Sequence, residues 1–357
     1  MTPADVQGKV RELAVLLETE GFSTFVEPGK YKLGSVNIYA RRGETFYLIC
    51  FASDVDRFTK DQLNELKCLA EILRGVPIIV GERNRRGPLD DDVLFRRGNV
   101  TTLTKSTFKA MISGGTTPHK FAKQGGFFVR IDGTKLRRVR EAKNVSRRAV
   151  AAKLDVTKRT IENYERGTQN PSVEKYRQIT EMLDEEFCVP ASHGEWWEGI
   201  EFPRRPGRTS FQNEVGEVFQ ELGLFPFYPR LSSFDLFVGR GLDDASNSTS
   251  ARQGGVEGRQ TRDSKGPMGR ESRSESDGLL PIVSDVEEGS GKQVERRLMV
   301  MREFKEVSGE RVMLIVDQEV REVSRSFRGI PVMKDDDIRS CRDLRELKKK
   351  ILKYERI

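Results

Sequence analysis

Apolar residues recur at helical spacing near the start of the chain, at Val6, Val10, Leu13, Leu16 and Leu17, and predict an opening helix. "EGFSTFVEPG" then predicts a strand that Pro28 and Gly29 bring to an end. "GSVNIYARRGETFYLICFAS" alternates on either side of Arg42-Gly43, the mark of a hairpin. Leu63, Leu66, Leu69, Ala70 and Leu73 form the inner face of a helix from Thr59 to Leu73. The wholly apolar run in "GVPIIVGE" fits a buried strand. "VLFRRGNVTTLTKSTFKAMI" ends the segment with a short strand and a helix entered at Thr104. The order α-β-β-β-α-β-β-α predicts a small α/β unit over residues 1–113.

Gly114, Gly115, Gly125 and Gly126 mark a linker, 114–131. The pattern then turns helical over 132–187. "TKLRRVREAKNVS" buries Leu136 and Val139, and Ser146 caps a second helix with Val150, Ala151 and Leu154 on one face. After the turn "LDV", Thr157 caps a third helix whose inner side is Ile161 and Tyr164, and Gly167 ends it. "TQNPS" leads to a fourth helix carrying Val173, Tyr176, Ile179 and Leu183. Ala151 and Ala152 are small enough to let the second and third helices approach. A connector, 188–208, holds Trp196 and Trp197.

Residues 209–241 and 293–357 repeat the order of elements and apolar runs of the first segment and predict a second α/β unit. Internal duplication explains this, as does coincidence between two units built on a common helix-strand alternation. Between its two pieces, 242–292 is rich in Gly, Ser and mixed charge and nearly free of aromatics, so a disordered surface insert is expected. The fold class is therefore α+β and multidomain: an all-α domain flanked by two small α/β units.

Charge sharpens this picture. The 357 residues carry a formal net charge of +7, which suggests an acidic partner. From Asp132 to Leu183 there are thirteen Lys and Arg against seven Asp and Glu, so a basic module lies within the chain. Cys50, Cys68, Cys188 and Cys341 share no CxxC spacing, and there are only two histidines, His119 and His193. Neither a zinc site nor a disulfide framework is expected. No run approaches the roughly eighteen apolar residues of a membrane span, and the N-terminal stretch, which carries acids and no long apolar run, is not that of a signal peptide. A cytoplasmic protein without a membrane partner is expected.

"SRRAVAAKLDV" followed by "TKRTIENYERGTQNPS" resembles the helix-turn-helix domain of the lambda repressor/Cro type. Two positions depart from that pattern: Arg147 stands where the second helix usually has Gln, and Asp155 where the turn usually has Gly. Of the residues other than Gly, Asp is among those that best tolerate a left-handed turn. The resemblance implies that Lys158, Arg159 and Asn163 read base edges while Arg147, Thr157 and Thr160 hold phosphates. Arg forks onto guanine and Asn onto adenine, each worth about 1–3 kcal/mol of discrimination. Ile161, Leu154 and Val156 read as core, Glu162 as solvated or ion-paired, and Arg166 as a partner of Glu162 or of phosphate.

The first α/β unit resembles the core of the PD-(D/E)xK nuclease fold, where an Asp on the second strand and a Glu-x-Lys on the third hold a divalent metal. Here Asn37 takes the Asp position and Ile49 and Phe51 those of the Glu-x-Lys, which implies no metal and no catalysis. Asp235 stands at the Asp position of the second unit and reads as a solvated or capping group, as do Asp54 and Asp56. The whole chain resembles the archaeal HTH-type transcriptional regulators. The resemblance implies a double-stranded DNA-binding homodimer that is not an enzyme and holds no cofactor, with any small-molecule effector unknown. A DNA nuclease or junction-resolving enzyme with an HTH targeting module is the alternative; an antitoxin-like or RNA-binding adaptor is a third.

Overall fold

The computed structural model describes residues 2–28, 35–114, 118–190, 200, 202–239, 282–287, 291–317 and 324–356. These fall into two compact units, one of residues 1–51, 57–78 and 197–357, the other of 52–56 and 79–196. The segment expected as a single unit, 1–113, is thus shared between the two.

The first unit opens with α1 (Pro3–Thr19), held at its start by a reciprocal cap in which the Asp5 N–H donates to the Thr2 hydroxyl and the Thr2 N–H donates to the Asp5 carboxylate. β1 (Ser23–Val26), β2 (Ile38–Arg42) and β3 (Thr45–Asp54) form an antiparallel meander with Thr24 opposite Ala40 and Ile38 opposite Ile49. α2 (Lys60–Ile72), capped by Thr59, leads into β4 (Val76–Asn84).

In the second unit β5 (Gly87–Pro88) folds back on β4, and β6 (Val93–Arg97) and β7 (Val100–Leu103) form a hairpin. One strand was expected where β5, β6 and β7 occur, because the turn at Gly98-Asn99 is hidden among arginines. Thr104 caps α3 (Lys105–Ile112), as its position predicts. The expected linker is instead a second hairpin, β8 (Lys120–Lys123) and β9 (Gly126–Val129), with Lys120 opposite Val129. Its glycines serve the turn, Gly125 at φ +99° and Gly126 at φ +133°, rather than a flexible joint. The helical domain follows as α4 (Gly133–Ala142), α5 (Arg147–Lys153), α6 (Lys158–Glu165) and α7 (Val173–Leu183). Trp196 and Trp197 lie outside the described residues.

The chain then completes the first unit with α8 (Ser210–Glu221), β10 (Phe225–Phe227), β11 (Leu236–Gly239), β12 (Ile282–Glu287), α9 (Gly291–Ser308), β13 (Arg311–Val316), β14 (Ser326–Phe327), β15 (Ile330–Lys334), α10 (Asp335–Arg339) and α11 (Leu344–Glu355). The sheet runs β10-β11-β12-β13-β15-β14. β12 falls inside the stretch expected to be a disordered insert. It is antiparallel to β11 and parallel to β13, so the apolar run of β13 is covered by a strand that composition concealed. The rest of that stretch up to residue 281 lies outside the described residues. In chain order both α/β regions read helix, three strands, helix, strand, hairpin, helix, apart from the two-residue β5 in the first and a further closing helix, α11, in the second.

Within this unit the two α/β regions share one apolar layer, where Phe25 meets Phe234 and Phe304 at 6.2 and 5.6 Å between ring centroids and Tyr39 stands edge-on to Phe304 at 5.1 Å. Polar ties cross it as well. Glu27 Oε1 accepts from the Ser232 hydroxyl at 2.8 Å and from both the N–H and hydroxyl of Ser233. Glu65 accepts from Arg205 at 3.0 Å and from the N–H groups of Arg230 and Leu231, each at 2.6 Å. Arg41 donates to the carbonyls of Val307 and Ser308.

Candidate nucleic-acid interface

Short helices need their ends satisfied, and each helix of the basic module is capped by its own sequence. Asp132, Ser146, Thr157 and Ser172 accept from the N–H of Lys135, Ala149, Thr160 and Lys175. The turn between α5 and α6 closes with the Val156 N–H donating to the Ala151 carbonyl at 3.0 Å. Asp155 takes the left-handed conformation there, at φ +49°. Ala151 is buried at the crossing, whereas Ala152, expected beside it, is exposed: one step along a helix turns a residue away by 100°.

Leu136, Val150, Ala151, Leu154, Ile161, Tyr164, Ile179 and Leu183 form the core, joined by Val129 and Ile131 from the end of the β8–β9 hairpin. Gly133 opens α4 so close to the end of α6 that a Cβ there would stand 2.3 Å from the Tyr164 carbonyl oxygen. Beneath this contact the buried Glu165 accepts from Arg140 at 2.6 Å and from Arg147 at 2.7 Å, while Arg140 also donates to the Val145 carbonyl. Three helices are thereby locked through one carboxylate. Sequence reasoning missed Arg140 and Glu165, whose only signal was a Glu one helical turn after Ile161 on a face otherwise apolar.

Lys158 and Arg159 project from the first turn of α6 and are exposed, with Asn163 half-buried one turn further. The Thr157 and Thr160 hydroxyls lie 2.9 Å apart beside them. Glu162 pairs with Arg166 at 2.6 Å, which takes both out of simple base reading. Arg147 is held by Glu165 and is the one member of the implied set drawn into the framework of the domain. The remaining five, Thr157, Lys158, Arg159, Thr160 and Asn163, lie together on α6 and its cap. A helix of this diameter enters the major groove, about 12 Å wide, with its N-terminal turn directed at phosphates and bases.

In the first α/β region Asn37 is buried and its side-chain oxygen accepts from the Phe51 N–H at 2.6 Å, so it fastens β2 to β3 where a carboxylate would face a metal. In the second region Asp235, expected to be solvated or to cap, is instead buried, its charge met by Arg297 of α9 at 3.7 Å. Asp54 accepts from the Asp56 N–H, and Asp56 pairs with Arg97 and accepts from the Arg85 N–H. Among the described residues no cluster of three His, Cys, Asp or Glu could hold a metal ion, and no helix is long and apolar enough to cross a membrane. All four cysteines are free thiols.

These features define a protein with a helix-turn-helix DNA-binding domain, and residues 136–188 match the helix-turn-helix family. Residues 7–118 match the PD-(D/E)XK superfamily domain. The chain is similar to the "Putative HTH-type transcriptional regulatory protein" of Methanocaldococcus jannaschii, 25% identical over 316 residues that cover 87% of this chain and 86% of the relative. The protein of the same name from Methanothermobacter thermautotrophicus is 25% identical over 343 residues, 96% of this chain and 94% of that one. Its namesake in Methanococcus vannielii is 31% identical over 182 residues, 51% of this chain and 55% of the relative. No solved structure matches.

Proposed function

We propose that this chain is a sequence-specific double-stranded DNA-binding transcriptional regulator that reads the major groove with α6. The observation that carries the reading is the set of exposed or half-exposed Lys158, Arg159 and Asn163 on a helix whose cap, turn and buried Glu165 leave it one orientation. Base-reading residues need such fixity, because a bidentate contact tolerates little displacement. One such helix covers a short half-site, so the regulator acts as a homodimer on a two-fold symmetric operator. In this reading the two α/β regions bind or dimerise and do not cleave, and no cofactor is used.

The test is selection of bound duplexes from a random library near physiological salt, with Arg159→Ala in parallel. A symmetric motif is expected for the native chain, and the variant should relax it at one position per half-site, by about 1–3 kcal/mol. Binding without enrichment, weakened only by salt, would overturn base reading.

One observation favours the enzyme reading. Leu236 lies opposite Ser284, and continuing that register sets Asp235 opposite Asp285, with Glu287 two residues further along β12. The second α/β region therefore carries acidic positions at the register that Asn37 and Cys50 take in the first, one residue off the Ile49 and Phe51 expected for the Glu-x-Lys. Cleavage of the same duplexes with magnesium, lost in Asp235→Ala, would establish this reading; intact DNA would dismiss it.

A further inference from the structure

The acidic residues stop at Asp92 and resume only at Asp132. The thirty-nine residues between them hold seven Lys and Arg and no Asp or Glu. At the end of this stretch is the β8–β9 hairpin, which reading by composition makes a linker and which nothing so far gives a role.

The hairpin is fastened to the helical domain, not merely joined to it. Val129 donates its N–H to the Pro171 carbonyl at 2.9 Å, and Phe128 bridges Ser172, the residue that caps α7. Ile131 bridges Cys188, Asp132 donates its N–H to the Phe187 carbonyl at 2.8 Å, and Val129 and Ile131 are part of the domain's core. Pro171 and Ser172 belong to the loop that leaves the end of α6. The base of the hairpin is therefore fixed to the element that also fixes the reading helix.

The far end is different. Lys123, Gln124, Gly125, Gly126 and Phe127 are exposed one after another. Lys120, near the base, is neutralised by Asp92 at 3.0 Å, while the Lys123 side chain at the tip makes no ion pair or hydrogen bond among the described residues. Phe127 keeps 37% of its surface exposed, its ring edge-on to Phe95 at 6.2 Å. An exposed aromatic beside an unpaired cation and two glycines suits a polyanion whose backbone is part apolar sugar and part phosphate, and gains nothing from water.

Resting on the regulator reading above, we propose that the β8–β9 hairpin is a second duplex-contacting element, a wing that places Lys123 and the tip backbone on phosphates flanking the groove entered by α6. At about 3.3 Å per residue the tip stands roughly 15 Å from the Pro171 anchor, a distance of the order of one groove width. Such contacts position the protein and carry no sequence information themselves.

The experiment measures the affinity of the full chain for its selected duplex against salt, for the native protein, Lys123→Ala, Lys123→Glu and Arg159→Ala. Losing one phosphate contact should lower the slope of log K against log salt by about 0.9. Lys123→Ala is expected to show that change, and Lys123→Glu to weaken binding roughly tenfold near 0.1 M salt, with the selected motif and thermal unfolding unaltered. Arg159→Ala should instead alter the motif. Native slope and affinity in both Lys123 variants, alongside an altered motif in Arg159→Ala, would overturn the wing and leave the reading helix standing. Absence of duplex binding by the native chain would overturn both.

Discussion

Glu27 is a carboxyl whose surroundings work against its charge. It is buried, Oε1 takes three donors from Ser232 and Ser233, and Oε2 has none. Burial outweighs those donors and pushes its carboxyl up to about 7 from an ordinary 4.5. The folded state therefore binds this proton more tightly than the unfolded chain does. Its contribution to stability is fully present below pH 4.5 and is lost as pH rises through 7, over a range worth about 3 kcal/mol. Glu310, raised to about 7 by burial, adds a slope of the same sign. Glu27→Gln should flatten the melting temperature between pH 4.5 and 7 and leave the variant more stable than the native chain at pH 8. Parallel curves for the two proteins would show that Glu27 is not the titrating group.

At the scale of elements, the helical domain was legible because its signals are local. A cap is a Ser, Thr or Asp immediately before a helical apolar period, and Ser146 and Thr157 were both found that way. The αL turn at Asp155 was legible for the same reason. The hairpin β8–β9 was not, since four glycines in a dozen residues read as a joint when the pairing partner is unknown. Only Lys120 opposite Val129, together with the bond to Pro171, turns those residues into a strand pair. β12 escaped for another reason: "IVSDVE" follows a long polar stretch, and a six-residue strand gains its stability from neighbours on both sides, here β11 and β13, which no local pattern reveals. The Glu165 network was hidden likewise, because its partners Arg140 and Arg147 come from two other helices.

At the scale of the molecule, charge and cohesion are divided between the units. The unit holding the helix-turn-helix has twenty-three Lys and Arg against seventeen Asp and Glu, six of the seven net charges of the chain. The other unit is nearly neutral and has the two α/β regions bound through Phe25, Phe234 and Phe304 and through Glu27 and Glu65. Sequence order predicts two small domains there; from the shared apolar layer we expect the two regions to unfold together. Glu65 tests this. It lies on α2 of the first region and satisfies the N–H groups of Arg230 and Leu231 in the second, together with Arg205. Glu65→Ala leaves the half-buried Arg205 and two backbone donors without their acceptor, a loss of about 1–3 kcal/mol for each donor left unsatisfied. If the regions fold as one, the variant should lower the melting temperature of both α/β regions together. Hydrogen exchange would then speed up alike in β2 and β13 while α5 and α6 keep their protection. Faster exchange confined to β2 would mean that the two regions are stable independently and that the layer between them is a docking contact.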